Sequence, residues 1–279
     1  MIFPISVIHI GRVAIQLPGL TLLFGYWVAM WLAAREARRI GLKEDGVYSP
    51  GFYAAIAGIF GARAWYVVTH WAAFAGDPLG IISLNLSTLD ATGGLVIGIL
   101  VGALYAWRKK LLGVRWLDVL TPGAVALLAA VSLSNLFSGE AYGSPTTLPW
   151  AIELWDMERH PTQIYEMLAM LAILVVLLVV LRRHSMPGTA TLLFVALYSG
   201  QRVFLEAFRG NSLLLPGGWR AAQVVGLLVL AISLVMLARR SAVSGEIRGS
   251  QLAGETALAT IPKQVTGPTV SSDVLEKDK

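Results

Sequence analysis

Two arginines stand inside long apolar runs of this chain, at Arg63 and Arg202. At the centre of a membrane helix an arginine costs about 2.5–3.5 kcal/mol on insertion scales, so each needs a partner or a polar cavity. One predicted helix face carries four polar side chains at helical spacing: Tyr198, Arg202, Glu206 and Arg209. Because a guanidinium matches a phosphate or carboxylate, Arg63 and Arg202 are candidate anion ligands. For Glu206, a structural ion pair with Arg202 is the favoured interpretation.

A second polar group follows two other apolar runs, and it comprises Asn135, Glu140, Gly143, Arg159, His160, Gln163 and Glu166. Each member also has a structural interpretation. His160 precedes Pro161 at a predicted helix start, where an interface residue is as plausible as a base. Glu166 could pair with Arg159, two turns earlier. Asn135 and Gln163 could simply hydrogen-bond neighbouring helices.

Several kinds of site are disfavoured by the residue types present. The chain has no cysteine, which excludes disulfides, thiolate metal sites and a cysteine nucleophile of its own. It has no Gly-x-Ser-x-Gly run and no closely spaced cluster of histidine and acidic residues, so serine-hydrolase and metalloprotease interpretations lose support. We expect no metal and no cofactor.

The elements that must position these residues are transmembrane helices. Hydrophobic residues make up 56% of the chain and charged residues only 14%, against about 25% in soluble domains. The mean hydropathy is +0.67. Because a span needs roughly 20 apolar residues, we predict an all-α polytopic membrane protein with about seven spans, over residues 15–34, 50–69, 93–107, 117–137, 162–181, 189–208 and 221–238.

The basic residues predict how these spans are oriented. Sixteen of the 22 lysines and arginines fall in one set of loops and the C-terminal segment, and only four fall in the opposite loops. The positive-inside rule therefore places the N-terminus outside and the C-terminus in the cytoplasm. This placement also accounts for the net charge of +5, so no nucleic-acid partner is expected. We predict a membrane domain over residues 1–240 and a polar, disordered cytoplasmic tail over 241–279.

This orientation gathers the two polar groups in the outer half of the membrane. Independent segments send arginine, asparagine, glutamate, histidine and glutamine side chains to a similar depth. A phosphate-bearing lipid of the outer leaflet is the natural ligand for buried arginines there.

Taken in order, these motifs resemble the bacterial prolipoprotein diacylglyceryl transferase family. The strongest stretch is Arg159–Glu166, which reads RHPTQIYE and matches the family's R-H-P-[ST]-Q-x-Y-E run. Residues 135–143 are similar to the family segment N-F-x-N-G-E-x-[YW]-G. Further matches are Gly61-Ala62-Arg63, Asp118 with Pro122, Gly93-Gly94, and the helix face that carries Arg202.

The resemblance implies transfer of a diacylglyceryl group from phosphatidylglycerol to the lipobox cysteine of a prolipoprotein, at the outer face of the bacterial plasma membrane. Arg202, His160 and Glu140 are then the expected catalytic residues. The expected lipid-binding residues are Arg63, Asn135, Gly143, Gln163, Tyr198, Glu206 and Arg209.

Three positions depart from the family pattern. Thr92 stands where the family has a histidine, Ser132 where it has an arginine, and Pro18 about where it has a tyrosine. Since threonine cannot accept a proton near neutral pH, His160 or Glu140 would have to serve as the base. The alternative is a non-catalytic paralogue that binds anionic lipid or lipoprotein precursors. An unrelated small-solute transporter conflicts with the ordered motifs and with the lack of an internal repeat.

Overall fold

The computed structural model describes residues 2–4, 6–10, 13–74, 76, 80–81, 90–111, 113–183 and 186–259, with no side-chain description for 2, 3, 10, 13, 14, 91, 92 and 243–259. Over these ranges the fold is dominated by helices, which confirms the all-α prediction. They are α1 Leu17–Arg39, α2 Asp45–Thr69, α3 Trp71–Phe74, α4 Ala91–Arg108, α5 Val114–Ser138, α6 Thr162–Arg182, α7 Thr189–Leu205 and α8 Ala221–Ala259. Each predicted span corresponds to one of them, and only the four-residue α3 is additional.

Five of the described helices are long and apolar enough to cross a membrane: α1, α2, α5, α6 and the Ala221–Ala242 part of α8. The predicted third and sixth spans are shorter. The apolar part of α4 is Gly93–Arg108, and α7 has 17 residues, or about 26 Å at the usual helical rise. A 3-10 turn, Glu206–Phe208, continues from α7. The chain is therefore a helical multi-pass membrane protein, whose orientation stays a prediction.

The C-terminal segment contains the end of the longest of the described helices. Helix α8 continues to Ala259, and contacts divide the chain into Met1–Leu234 and Val235–Lys279, while the domain boundary at residue 240 stays a prediction. Residues 241–259 contain several alanines, leucines and glutamates, which have high helix propensity. The rest of the predicted tail, 260–279, lies outside the described residues.

Helices α1 and α5 pack antiparallel with their backbones close together. The Ser134 hydroxyl, near the end of α5, donates to the Pro18 carbonyl at the start of α1 at 3.1 Å. A Cβ at Gly123 would overlap the carbonyl oxygen of Ala29. Such close approach of small residues is a common way to pack helices in lipid, where no hydrophobic effect drives association.

Helices α2 and α4 also pack with their backbones close together, along a row of glycines. A Cβ on Gly94 would lie 2.8 Å from the Gly58 carbonyl oxygen, and one on Gly98 would lie 2.9 Å from that of Ala54. The glycines of the predicted third span therefore allow it to pack closely on α2.

The helix ends that carry the predicted site meet at one end of the bundle, which we call the cap end. It is defined by the C-termini of α5 and α7 and the N-termini of α1 and α6. Thr162 Oγ1 donates to the Ala141 carbonyl at 2.9 Å, and Gln163 Nε2 donates to that of Glu140 at 2.8 Å. These bonds join the start of α6 to the loop after α5.

Short strands, which the sequence did not predict, also lie in the described structure. Strand β1 (Ile2–Phe3) pairs parallel with β4 (Ile152–Leu154), which pairs antiparallel with β5 (Glu158–Arg159). Strands β2 (Val7–Ile10) and β3 (Val13–Gln16) form a hairpin. The N-terminal segment is thereby joined to the long loop before α6.

Replacing Gly123 by alanine tests the α1–α5 contact. Gly123→Ala forces the backbone of Ala29 to shift, and overpacking of this kind costs about 1–3 kcal/mol. Gly19→Ala is the matched control, because it is also helical but a Cβ there meets nothing within 4 Å. We expect a lower thermal midpoint for Gly123→Ala than for Gly19→Ala, measured by tryptophan fluorescence in detergent. Equal midpoints would contradict the close packing.

Candidate functional site

Four charged residues form a connected network at the cap end. Arg202 Nη1 lies 2.9 Å from Glu166 Oε1, and Arg202 Nη2 lies 2.9 Å from Glu206 Oε2. Arg209 Nη1 contacts the same Glu166 oxygen at 2.5 Å. Glu166 and Glu206 are both buried. One carboxylate oxygen of α6 therefore bridges two arginines from the far end of α7 and the turn beyond it.

Local geometry places each member of this network. Arg202 and Glu206 are separated by four residues, so the helix and the 3-10 turn put them on one face. Glu166 comes one turn after Thr162, which anchors the start of α6. Arg209 follows the 3-10 turn, where its backbone forms an antiparallel bridge with Gly143. The loop after α5 thus fixes where Arg209 lies.

Arg220, at the start of α8, holds the turn between α7 and α8. Its Nη1 donates to the Glu206 carbonyl, and also to the Arg209 carbonyl and Ser212 Oγ, each at 2.9 Å. No sequence pattern predicts this position of Arg220, because its partners are mostly backbone carbonyls.

A cavity of about 240 Å³ opens beside the network. Its wall combines polar and apolar side chains from α5, α6 and α7, together with Arg209: Leu128, Val131, Ser132, Asn135, Glu166, Met170, Tyr198, Gln201, Arg202 and Arg209. Two arginines and one glutamate therefore face the same space. Apolar neighbours exclude water and strengthen electrostatic interactions, so the two guanidinium groups and the carboxylate interact strongly here.

Five of the ten predicted site residues belong to this region. The cavity is lined by four of them, Asn135, Tyr198, Arg202 and Arg209. The fifth, Glu206, forms an ion pair with Arg202. The structure therefore brings together the predicted helix face of α7 and the predicted end of α5.

Arg63 lies elsewhere, buried in α2. Its Nε donates to the Ile81 carbonyl at 3.0 Å and its Nη2 donates to that of Gly80. Its guanidinium also lies 5.2 Å from the centre of the Phe74 ring. These contacts join Arg63 to the segment that follows α3.

Four predicted residues lie around the loop between α5 and α6 and do not line the cavity. Glu140 is exposed, and Gln163 is 1% exposed with an Oε1 that has no partner among the described residues. Gly143 is enclosed, because a Cβ there would overlap the His160 backbone. The His160 ring packs 5.2 Å from that of Phe208, and its buried Nδ1 has no partner in the described part of the chain.

The alternative pairing of Glu166 with Arg159 is wrong. Arg159 instead donates from Nε to the Leu154 carbonyl at 3.1 Å and from Nη1 to that of Gly143 at 3.3 Å. Arg159 belongs to β5 and precedes the helix, so helical spacing does not relate it to Glu166. The guanidinium of Arg159 is therefore bonded to carbonyls of the loop, and Glu166 pairs with Arg202 and Arg209 instead.

The positions that depart from the family pattern have different surroundings. Ser132 lines the cavity, and its hydroxyl donates to the Leu128 carbonyl at 3.2 Å. Pro18 lies in the first turn of α1. The side chain of Thr92 is outside the described residues, but its neighbour Gly93 donates its backbone N–H to Asp90 Oδ1 at 2.7 Å, which caps α4.

Glu166 and Gln201 are two cavity residues that were not among the expected site residues. A signal for Glu166 was present in the sequence, because it ends the Arg159–Glu166 motif. Gln201 directly precedes Arg202, but only the packing of α7 against α5 and α6 reveals that it faces the cavity.

The prolipoprotein diacylglyceryl transferase family model matches residues 5–239. This chain is a member of that family. Among its relatives, the phosphatidylglycerol–prolipoprotein diacylglyceryl transferase of Clostridioides difficile is 33% identical over 210 residues, which cover 75% of this chain and 84% of that protein. The enzyme of the same name from Symbiobacterium thermophilum is 32% identical over 259 residues, covering 87% of this chain and 96% of that protein.

The match confirms the resemblance seen in the motifs, and it covers all of the network around Glu166. Within the described residues, no group of three histidine, aspartate or glutamate side chains converges as a metal site would require. The polar groups that line the cavity are guanidinium, carboxylate, amide, hydroxyl and phenol groups.

Replacing Glu166 by glutamine tests the network. Glu166→Gln leaves two arginines with one counter-charge, and removing one partner of a buried ion pair costs about 3–5 kcal/mol. Glu140→Gln is the matched control, because that carboxylate is exposed. We expect a clearly lower unfolding midpoint for Glu166→Gln alone. If both variants unfold like the wild type, the network does not hold the cap end together.

Proposed function

We propose that this chain transfers the diacylglyceryl group of phosphatidylglycerol to the lipobox cysteine of a prolipoprotein, at the outer face of the bacterial plasma membrane. Family membership and the names of the relatives support the reaction. The observation that carries the proposal for this chain is the convergence of Arg202 and Arg209 on one cavity between apolar helices. The predicted orientation supports the choice of membrane face.

The reaction exchanges a carbon–oxygen bond for a carbon–sulfur bond. The substrate cysteine loses its proton, because the thiolate is the nucleophile. Its sulfur attacks the glycerol carbon of the diacylglyceryl group that carries the phosphate, and a thioether forms. The electron pair of the broken bond leaves with the phosphate oxygen, which gives glycerol phosphate. The nucleophile belongs to the substrate, so a transferase without cysteine is consistent with this chemistry.

Arg202 and Arg209 supply the positive charge that this step needs. Negative charge grows on the leaving phosphate, and prepositioned donors stabilise such charge with little reorganisation. Glu166 and Glu206 hold the guanidinium of Arg202 at two of its nitrogens, so its remaining donors are aimed by the network. Glu206 is therefore a positioning residue for Arg202.

The other expected binding residues fall into two groups in this proposal. Asn135 and Tyr198 face the cavity and would contact the lipid headgroup. Arg63, Gly143 and Gln163 would shape the surrounding loops, since their described contacts are largely with backbone.

His160 is our preferred base for the thiol, with Glu140 as the alternative. His160 has a buried Nδ1 without a partner among the described residues. It also packs against Phe208, the neighbour of Arg209 in sequence. Glu140 is exposed and could be reached by an arriving peptide. A neutral imidazole nitrogen can accept a proton, as a general base must.

The first test is the transfer itself. Purified protein given phosphatidylglycerol and a lipobox peptide should produce the thioether-linked lipid and glycerol phosphate, both detected by mass spectrometry. Arg202→Ala should lower the rate at least about 100-fold, as loss of a transition-state donor does. Arg183→Ala, an exposed arginine at the opposite end of α6, should retain wild-type activity.

The same assay distinguishes the paralogue alternative. Lipid binding by the wild type without any product would refute the enzyme and support a non-catalytic lipid-binding relative. A cell depleted of its own transferase provides the parallel measurement, and rescue of its growth by this chain would support the proposed activity.

The choice of base is tested by substitution. His160→Gln should lower the transfer rate about 100-fold or more, because general bases contribute at least that factor. Glu140→Gln is compared under the same conditions. The opposite pattern, with only Glu140→Gln impaired, would assign the proton to Glu140.

A further inference from the structure

Gln201 is a polar cavity residue that does not belong to the ion-pair network around Glu166. It lies one residue before Arg202 on α7 and lines the same cavity. Both its side-chain atoms, Nε2 and Oε1, are buried and have no hydrogen-bond partner among the described residues. The neighbouring glutamine on α8 differs, because Gln223 Nε2 donates to the Val203 carbonyl at 3.2 Å.

An amide with both atoms unpaired is an unusual group to keep in a buried wall. Most buried polar side-chain atoms have at least one partner, and an unpaired one is destabilising. The orphaned amide of Gln201 therefore indicates a ligand that supplies a hydrogen-bond acceptor for Nε2 and a donor for Oε1.

The rest of the cavity shows what this amide adds. Arg202 and Arg209 can only donate, and Ser132 already gives its hydroxyl proton to Leu128. Arginine donors recognise the charge of a phosphate but cannot accept a hydrogen bond from a hydroxyl group. Gln201 presents a donor and an acceptor side by side. Other cavity residues also carry acceptor oxygens, but among the described residues that line the cavity only Gln201 has buried side-chain atoms without a partner.

We propose that Gln201 determines headgroup specificity by binding a phosphodiester lipid whose headgroup carries a hydroxyl. Nε2 donates to a phosphate oxygen, and Oε1 accepts from a headgroup hydroxyl such as those of glycerol. The inference adds a specificity residue to the proposed function. The kinetic effect expected below rests on that function. Its binding consequence holds for the cavity whether or not transfer occurs.

The experiment compares two lipids of equal charge, phosphatidylglycerol and phosphatidylmethanol, of which only the first has headgroup hydroxyls. Binding to purified protein in nanodiscs is measured by native mass spectrometry. We expect the wild type to bind phosphatidylglycerol about tenfold more tightly, the scale of one or two hydrogen bonds. Gln201→Leu should bind both lipids within about twofold of each other, and Gln201→Met provides a second variant of similar length.

Gln223→Leu is the matched control. It should retain the tenfold preference while losing thermal stability, because it removes a hydrogen bond within the protein. Gln201→Leu should unfold no earlier than the wild type, since its amide has no protein partner to lose. A merely structural Gln201 would give the reverse, with lower stability and an unchanged lipid preference.

Kinetics separate this inference from the proposed function. With an active enzyme, Gln201→Leu should raise KM for phosphatidylglycerol about tenfold with little change in kcat. If no transfer occurs but the binding preference depends on Gln201, the inference stands and the enzyme proposal fails. Equal binding of both lipids by the wild type, with or without transfer, would overturn the inference and leave Gln201 as a water-bound amide.

Glycerol 1-phosphate distinguishes a lipid ligand from a soluble one. We expect it to compete only weakly with phosphatidylglycerol, because the apolar wall of Leu128, Val131 and Met170 contributes contacts only to the acyl-bearing part of a lipid. Competition at equal concentration would overturn the assignment to a lipid headgroup.

Discussion

The geometry of the candidate site depends on the two ion pairs that the Glu166 carboxylate forms. This carboxylate compensates two arginines that come from the end of α7 and from the turn beyond it. Without it, only Glu206 would compensate the two arginines beside a small cavity between apolar helices. The ion pair with Glu166 therefore acts together with the backbone bridge to Gly143 in holding Arg209 beside the cavity.

The helix packing and the loops serve to keep that acceptor in place. Glycines bring α1 onto α5 and α2 onto α4, while Thr162 and Gln163 anchor the start of α6 to the loop after α5. Asp118 in α5 accepts from the backbone N–H of Gly188 at 2.5 Å and of Thr191 at 2.8 Å, which fixes the start of α7. The helices bearing Glu166 and Arg202 are thus each tied to α5.

In the proposed mechanism, the cavity divides recognition between charge and hydrogen bonding. Arg202 and Arg209 provide guanidinium donors whose charge is balanced by Glu166 and Glu206, whereas the neutral polar groups on the same wall belong to Gln201, Asn135 and Tyr198. A charged group binds any phosphate, so discrimination between headgroups has to come from the neutral groups. This division explains how one small site could serve both the bond that breaks and the choice of lipid.

Local regularities in the sequence were enough to predict the helices, the multi-pass character and the pair of Arg202 with Glu206, because residues four apart on a helix are neighbours in any fold. The same reasoning failed for Glu166. Its partners lie 36 and 43 positions away, and only the packing of α6 against α7 brings them together.

The strands were also missed, since β1 pairs with a segment about 150 residues distant. Gln201 has the same explanation. Which of its atoms remain unpaired depends on every neighbour around the cavity, and those neighbours are chosen by tertiary packing, not by spacing along the chain.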